Sequence, residues 1–151
     1  MNRYNMNKAD SDIDFMKIVT GRKITSNSNP LDEIKVISFG VMPSDATQFR
    51  ETLGWNVTLF GEASGISVRT IQRHQKSNKP FGLSTSQTIL ELARLSLIRV
   101  SYFGSVNRWN DWLMTPHIQF NNDKPFSVIN TIRGREIIKR IVCGLGQGFA
   151  A

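Results

Sequence analysis

The sequence predicts an all-α protein, a helix-turn-helix bundle followed by a small helical domain. Three observations carry this prediction. Helix-starting residues and helix-stopping glycines or prolines recur at short intervals from Asn29 onward. Between them, apolar residues fall three and four apart, the spacing of one helix face. The tight connection Ser64-Gly65-Ile66-Ser67 joins two short helical segments, as a helix-turn-helix requires.

Composition narrows the classes. At 151 residues, 40% apolar and 21% charged, the chain is globular in composition and long enough for one ordinary domain or two small ones. It has no apolar run of about 18 residues that could span a membrane. The polar start Met1-Asn-Arg-Tyr-Asn lacks the apolar core of a signal peptide, so a cytoplasmic location is expected. A single cysteine, Cys143, excludes an internal disulfide, and its apolar surroundings predict a small buried hydrophobe. His74 and His117 have no acidic or thiol neighbour at metal-binding spacing, so no metal and no cofactor are expected. No nucleophile, base and acid group at usable spacing, and the chain does not read as an enzyme.

In chain order, residues 1–28 are rich in Asn, Ser, Asp and Lys and read as a flexible N-terminal arm, although Ile13, Phe15, Met16, Ile18 and Val19 could form one amphipathic turn or two. Asn29-Pro30 caps the first firm helix, with Asp32 and Glu33 favouring its dipole, to about Ser38 and a stop at Gly40. Pro43-Ser44-Asp45 announces a second, which turns Ala46, Phe49 and Leu53 inward before Gly54. Asn56 caps a third over 57–63, and Ser67 a fourth over 68–76. Ser84-Thr-Ser-Gln87 reads as a capping box that opens a long helix to Phe103, apolar on nearly all sides, a bridge and a dimer element.

The third and fourth helices form the candidate DNA-reading motif. Phe60, Gly61, Gly65, Ile66 and Ile71 are its anchors. Ser64 and His74 stand where apolar residues are usual, which predicts looser packing than average. Between Ile66 and Pro80 lie four basic residues and no acidic one, the charge pattern of a phosphate-binding face. The fourth helix would present Arg69, Thr70, Gln72, Arg73 and Lys76, with Ser67 at its start. Arginine matches guanine, glutamine matches adenine, and a capped helix start suits a phosphate.

The last third begins with Trp109, Trp112 and Leu113 on one helix face, assigned to packing, and stops at Thr115-Pro116. Pro125 starts a short helix over 126–129, and Thr131 caps a last one over 132–143, with Arg133, Arg135, Lys139 and Arg140 on its polar side. The chain then ends Gly144-Leu-Gly-Gln-Gly-Phe-Ala-Ala151, an apolar tip on a permissive backbone. Such a tail reads either as a docking peptide or as one whose Phe149 folds back on its own domain.

Taken together, Phe103-Gly104, Trp112-Leu113, Pro116, Pro125, Gly134, an apolar helix and Gly148 form a pattern. In it the chain resembles the Xre/MbcA/ParS antitoxins, whose C-terminal toxin-binding domain carries a tryptophan-leucine pair, two prolines, a glycine, and a terminal glycine followed by aromatic and small residues. The upstream half is similar to the Xre-type helix-turn-helix that accompanies that domain. Ile118, Asn121 to Asp123, and Gly144 to Gln147 depart from the family pattern.

The resemblance implies an Xre-like helix-turn-helix bundle followed by a small helical toxin-binding domain. It divides the chain into an arm (1–28), a DNA-binding domain with a long connecting helix (29–103) and a toxin-binding domain (104–151). It further implies a type II antitoxin that pairs with a RES-domain toxin, an enzyme that consumes or transfers from NAD, and inhibits it by inserting the C-terminal segment into its active site. The toxin-binding residues would be Gly144, Gly146, Gln147, Gly148, Phe149, Ala150 and Ala151, with Arg133 and Arg140 facing acidic groups. The N-terminal half would bind operator DNA as a homodimer within a larger toxin-antitoxin complex and repress its own operon. The competing reading is a helix-turn-helix transcriptional regulator whose C-terminal half serves only dimerisation.

Overall fold

Caps decide where most of the helices begin. In the computed structural model, which describes residues 10–146, the Asp14 carboxylate accepts from the Lys17 N–H ahead of α1 (Phe15–Val19). Asn29 does the same for Leu31 ahead of α2 (Pro30–Phe39), whose first residue is proline. After α3 (Pro43–Thr52), Asn56 caps α4 (Val57–Ser64) and Ser67 caps α5 (Val68–Ser77). Each side chain satisfies an N–H that the helix itself leaves unpaired. Then follow α6 (Leu83–Phe103), α7 (Val106–Met114) capped by Ser105, two 3₁₀ turns (Ile118–Phe120 and Pro125–Val128) and α8 (Ile132–Gly146). Among the described residues the regular elements are all helical, as predicted, and the one isolated β-bridge joins His117 and Asp123.

The chain divides into two compact units: residues 14–97, and residues 98–146 with 10–13. The division falls inside α6 and not at the Gly104 stop, because the last turns of that helix carry Phe103, which packs on the tryptophans of the second unit.

The first unit is built around Phe49. Phe15, Trp55 and Phe60 meet its ring edge to face, with centroids 5.9, 6.5 and 6.4 Å away. Phe15, Met16 and Val19 are buried, and α1 packs on α3. Residues 14–28 therefore are not an extended arm: their polar composition hides a short helix whose apolar face finds Phe49. The capping box expected at Ser84 is also absent. α6 starts one residue earlier, Ser84 lies within it, and Ser86 instead accepts from Val41 N at 2.8 Å while donating to the Phe81 carbonyl.

The segment of α2 is tied to α6 at two points. Glu33 forms an ion pair with Arg94 near one end, and Val41, just past the other, bonds to Ser86.

The second unit centres on a stacked pair, Trp109 and Trp112, with centroids 5.8 Å apart and planes 11° from parallel. His117 packs against Trp112 with ring centroids 5.1 Å apart and reaches its backbone carbonyl through Nε2. α8 packs on the Pro125–Val128 turn. Two sequence expectations change here. Arg135 is not on a polar surface: it is buried, and its guanidinium donates to the Ile129 carbonyl at 2.9 Å. Cys143 is exposed and not a buried hydrophobe; Arg99, itself buried, lies 3.6 Å from its sulfur.

Candidate functional site

Two regions carry the candidate site residues, one in each unit. In the first, α4 ends at Gly65, which takes the left-handed conformation (φ 74°) and donates its N–H to the Gly61 carbonyl. A residue with a β-carbon is strained in that conformation, so glycine makes the sharp reversal possible. Gly61 solves the second steric problem: a β-carbon there would come within 2.8 Å of the Ile66 carbonyl oxygen. The turn therefore folds tightly over α4. Ser64 and His74 do not loosen it as expected. The Ser64 hydroxyl is buried and donates to the Phe60 carbonyl, and the His74 ring lies 4.9 Å from Phe81 with Nδ1 3.2 Å from the Lys79 carbonyl. Each polar group thus has a local partner, which for Ser64 makes its burial tolerable.

α5 is held to the bundle through Ile71, its one buried residue, and through Gln75, whose amide donates to Thr47 at 3.0 Å. The side away from Ile71 is exposed. Arg69, Gln72, Arg73 and Lys76 are all exposed and follow one another at helical steps of three, one and three, so they form a single stripe. No acidic residue interrupts the helix. Ser67 and Thr70 are used differently. The Ser67 hydroxyl accepts from the Thr70 N–H at 3.1 Å and donates to the Thr70 hydroxyl at 2.9 Å, so both are spent largely on capping. Of the six predicted residues, four form the open basic and amide stripe and two stabilise the start of the helix that bears it.

Just beyond this stripe lies a hollow of about 170 Å³ lined by Arg73, His74, Ser77 and Lys79. Sequence reasoning missed its last member although the basic run includes it, because Lys79 lies past the helix end. Asn78 turns left-handed (φ 49°) and brings Lys79 N back to the His74 carbonyl. Two cations, an imidazole and a hydroxyl around one hollow suit an oxyanion such as a phosphate.

In the second unit, Arg133 and Arg140 are exposed on α8, seven residues apart and hence on one face. Arg133 makes a surface ion pair with Glu136 at 3.3 Å, so it is not available without first giving up that partner. α8 does not stop at Cys143: it continues through Gly144 and Gly146. Glycine weakens a helix by about 1 kcal/mol but ends it only where the backbone turns left-handed. Gly144 follows Arg133 and Arg140 on the same face. The other predicted partner-binding residues, Gln147, Gly148, Phe149, Ala150 and Ala151, lie outside the described residues.

Among the described residues, no group of three or more His, Cys, Asp or Glu could hold a metal ion, and no helix is long and apolar enough to cross a membrane. What the geometry offers is binding surface: a cationic stripe on one unit, and a helix leading toward the chain end on the other.

No model of a known protein family matches the chain. It is similar to the Prs ADP-ribosylating antitoxin of Sphingobium sp. (strain YBL2), with 23% identity over 138 residues, covering 85% of this chain and 87% of the relative. A match of that extent takes in both units.

Proposed function

We propose that this chain is the antitoxin of a two-protein system whose toxin transfers ADP-ribose. The observation that carries the reading is the similarity, over both units, to a protein named as an antitoxin of that chemistry. ADP-ribosyl transfer draws on NAD, which agrees with a RES-domain toxin as partner. The antitoxin itself acts by binding and not by catalysis. In this reading α8 and the residues after it are the inhibitory segment. The helix gives the segment a rigid base in the antitoxin's own unit, so less chain has to be ordered on binding. Gly148 permits close approach of the backbone, and Phe149 anchors the segment.

The first unit binds the operator that controls the pair, and so represses it. α5 enters the major groove with Arg69 and Gln72 toward base edges and with Arg73 and Lys76 toward phosphates. The exposed stripe, free of acidic residues and standing on a helix anchored by Ile71, supports this reading.

Co-expression with the toxin tests the inhibitory role. The full chain is expected to protect cells, and a chain ending at Gln147 is expected to fail while still binding operator DNA. Equal protection by both chains would remove the inserted-segment mechanism. If neither protects and DNA binding persists, the chain is a transcriptional regulator whose C-terminal half serves dimerisation.

A further inference from the structure

Arg99, in the last turns of α6, carries a positive charge into the interior of the second unit with no acidic group to meet it. The side chain is 3% exposed, and no ion pair among the described residues includes it. Its Nε–H is buried with no hydrogen-bond partner among the described residues. A charge withdrawn from water in this way is costly unless an anion offsets it. What the guanidinium does reach is a sulfur: its Nη2 lies 3.6 Å from Sγ of Cys143 on α8. Helical spacing sets up the meeting. Ile138 and Val142, four apart, lie on the buried side of α8, and Cys143, the next residue, is exposed to solvent yet within reach of Arg99. The sulfur thus meets both solvent and a buried cation.

We propose that Cys143 is a site of oxidation by peroxides to sulfenic acid, with Arg99 holding the product. The sulfur attacks one peroxide oxygen; the S–O bond forms as the O–O bond breaks, and the thiol proton leaves with the released oxygen, as water when the oxidant is hydrogen peroxide. Sulfur is oxidised by two electrons and the peroxide is reduced by two. Exposure of the sulfur admits the oxidant. Once ionised, the sulfenate oxygen accepts a charge-assisted hydrogen bond from Arg99 and supplies the anion that its buried charge lacks, which a thiol sulfur, a weak acceptor, does not. Cys143 stands one residue before Gly144, where α8 leads into the proposed inhibitory segment. The added oxygen and charge fall beside the surface that would meet the toxin, and oxidation weakens toxin capture; to that extent the inference rests on the antitoxin reading.

Treatment of the full chain with hydrogen peroxide and dimedone, which traps sulfenic acids, tests the site without toxin or DNA. The mass of the Cys143 peptide should show the adduct, formed at least about tenfold faster in the folded chain than in urea, where Arg99 and Cys143 are apart. Arg99→Met should slow trapping in the folded chain by a similar factor with unchanged helical circular dichroism, and Arg99→Lys should recover part of the rate because it keeps the charge. No adduct on Cys143, or equal rates folded and in urea, would overturn the proposal, and the comparison with urea decides it even where Arg99→Met fails to fold. With toxin present, the oxidised native chain should capture it at least about fivefold more weakly, and capture by Cys143→Ser should not respond to peroxide. Trapping with unchanged capture would overturn the effect on the toxin. An unoxidised chain that captures no toxin would instead sink the antitoxin reading, with the site still decided by trapping.

Discussion

Gly134 sits directly beneath the Val128 carbonyl, so close that a β-carbon on residue 134 would overlap the oxygen. Its N–H is held by the Thr131 hydroxyl at 2.9 Å, and Thr131 in turn donates to the same Val128 carbonyl at 3.0 Å. The start of α8 and the preceding 3₁₀ turn are thus fastened through one point. Gly134→Ala should destabilise the second unit by at least about 2 kcal/mol, since backbone cannot yield as a side chain would. Thermal unfolding by circular dichroism checks this. An unchanged transition would mean that α8 can shift without cost.

Arg135 tests the same joint from the other side. Its buried guanidinium donates to the Ile129 carbonyl, and removing a charged donor from a buried acceptor costs about 1.5–3 kcal/mol. Arg135→Met should lower the denaturant midpoint accordingly, and Arg135→Lys should recover only part, because an ammonium lacks the planar fork. A surface arginine would show neither effect.

For DNA binding, position along α5 separates two kinds of contact. Arg69 stands in the first turn, where recognition helices meet base edges, and Lys76 in the last. Arg69→Ala should weaken operator binding by about 1–3 kcal/mol and relax base preference. Lys76→Ala should weaken all sequences alike and reduce the salt slope by about one. Fluorescence anisotropy at several salt concentrations distinguishes them, and toxin capture should be unaffected in both.

Burial pushes the Asp45 carboxyl above its ordinary value, and the Lys23 ammonium only partly opposes this. The folded state therefore holds the proton more tightly than the unfolded chain. The stability linked to this group is present below the ordinary carboxylate range, and it is lost as pH rises through the raised value. Asp45→Asn should accordingly gain a little stability at pH 7, and the gain should shrink to nothing as pH falls below 4. Melting temperatures at the two pH values measure it; a gain that persists in acid would point to a cause other than charge burial.

The helix starts at Asn29, Asn56 and Ser67 were legible because a cap acts within three residues. So was the left-handed Gly65. The stripe of Arg69, Gln72, Arg73 and Lys76 could be read for the same reason: helical periodicity alone places those residues together once Ile71 is taken as the buried side. The hollow with Lys79 was not legible, since it depends on Asn78 turning left-handed and folding the chain back.

By itself the sequence determined that the chain is helical, where its helices start, and which side of α5 stays open, all consequences of local backbone hydrogen bonding and of a period of 3.6 residues. Tertiary structure alone decided what became of side chains whose partners are distant in sequence. Phe15 found Phe49 and turned an expected arm into core, and Glu33 found Arg94 and left the opposite side of α2 bare. Arg135 sank into the interior on the Ile129 carbonyl, a partner only six residues back that a helical pattern of basic residues nevertheless does not suggest. A charge or an aromatic ring on a helix can face water or a partner equally well. Which one it meets depends on contacts that close long loops, and local sequence does not encode them.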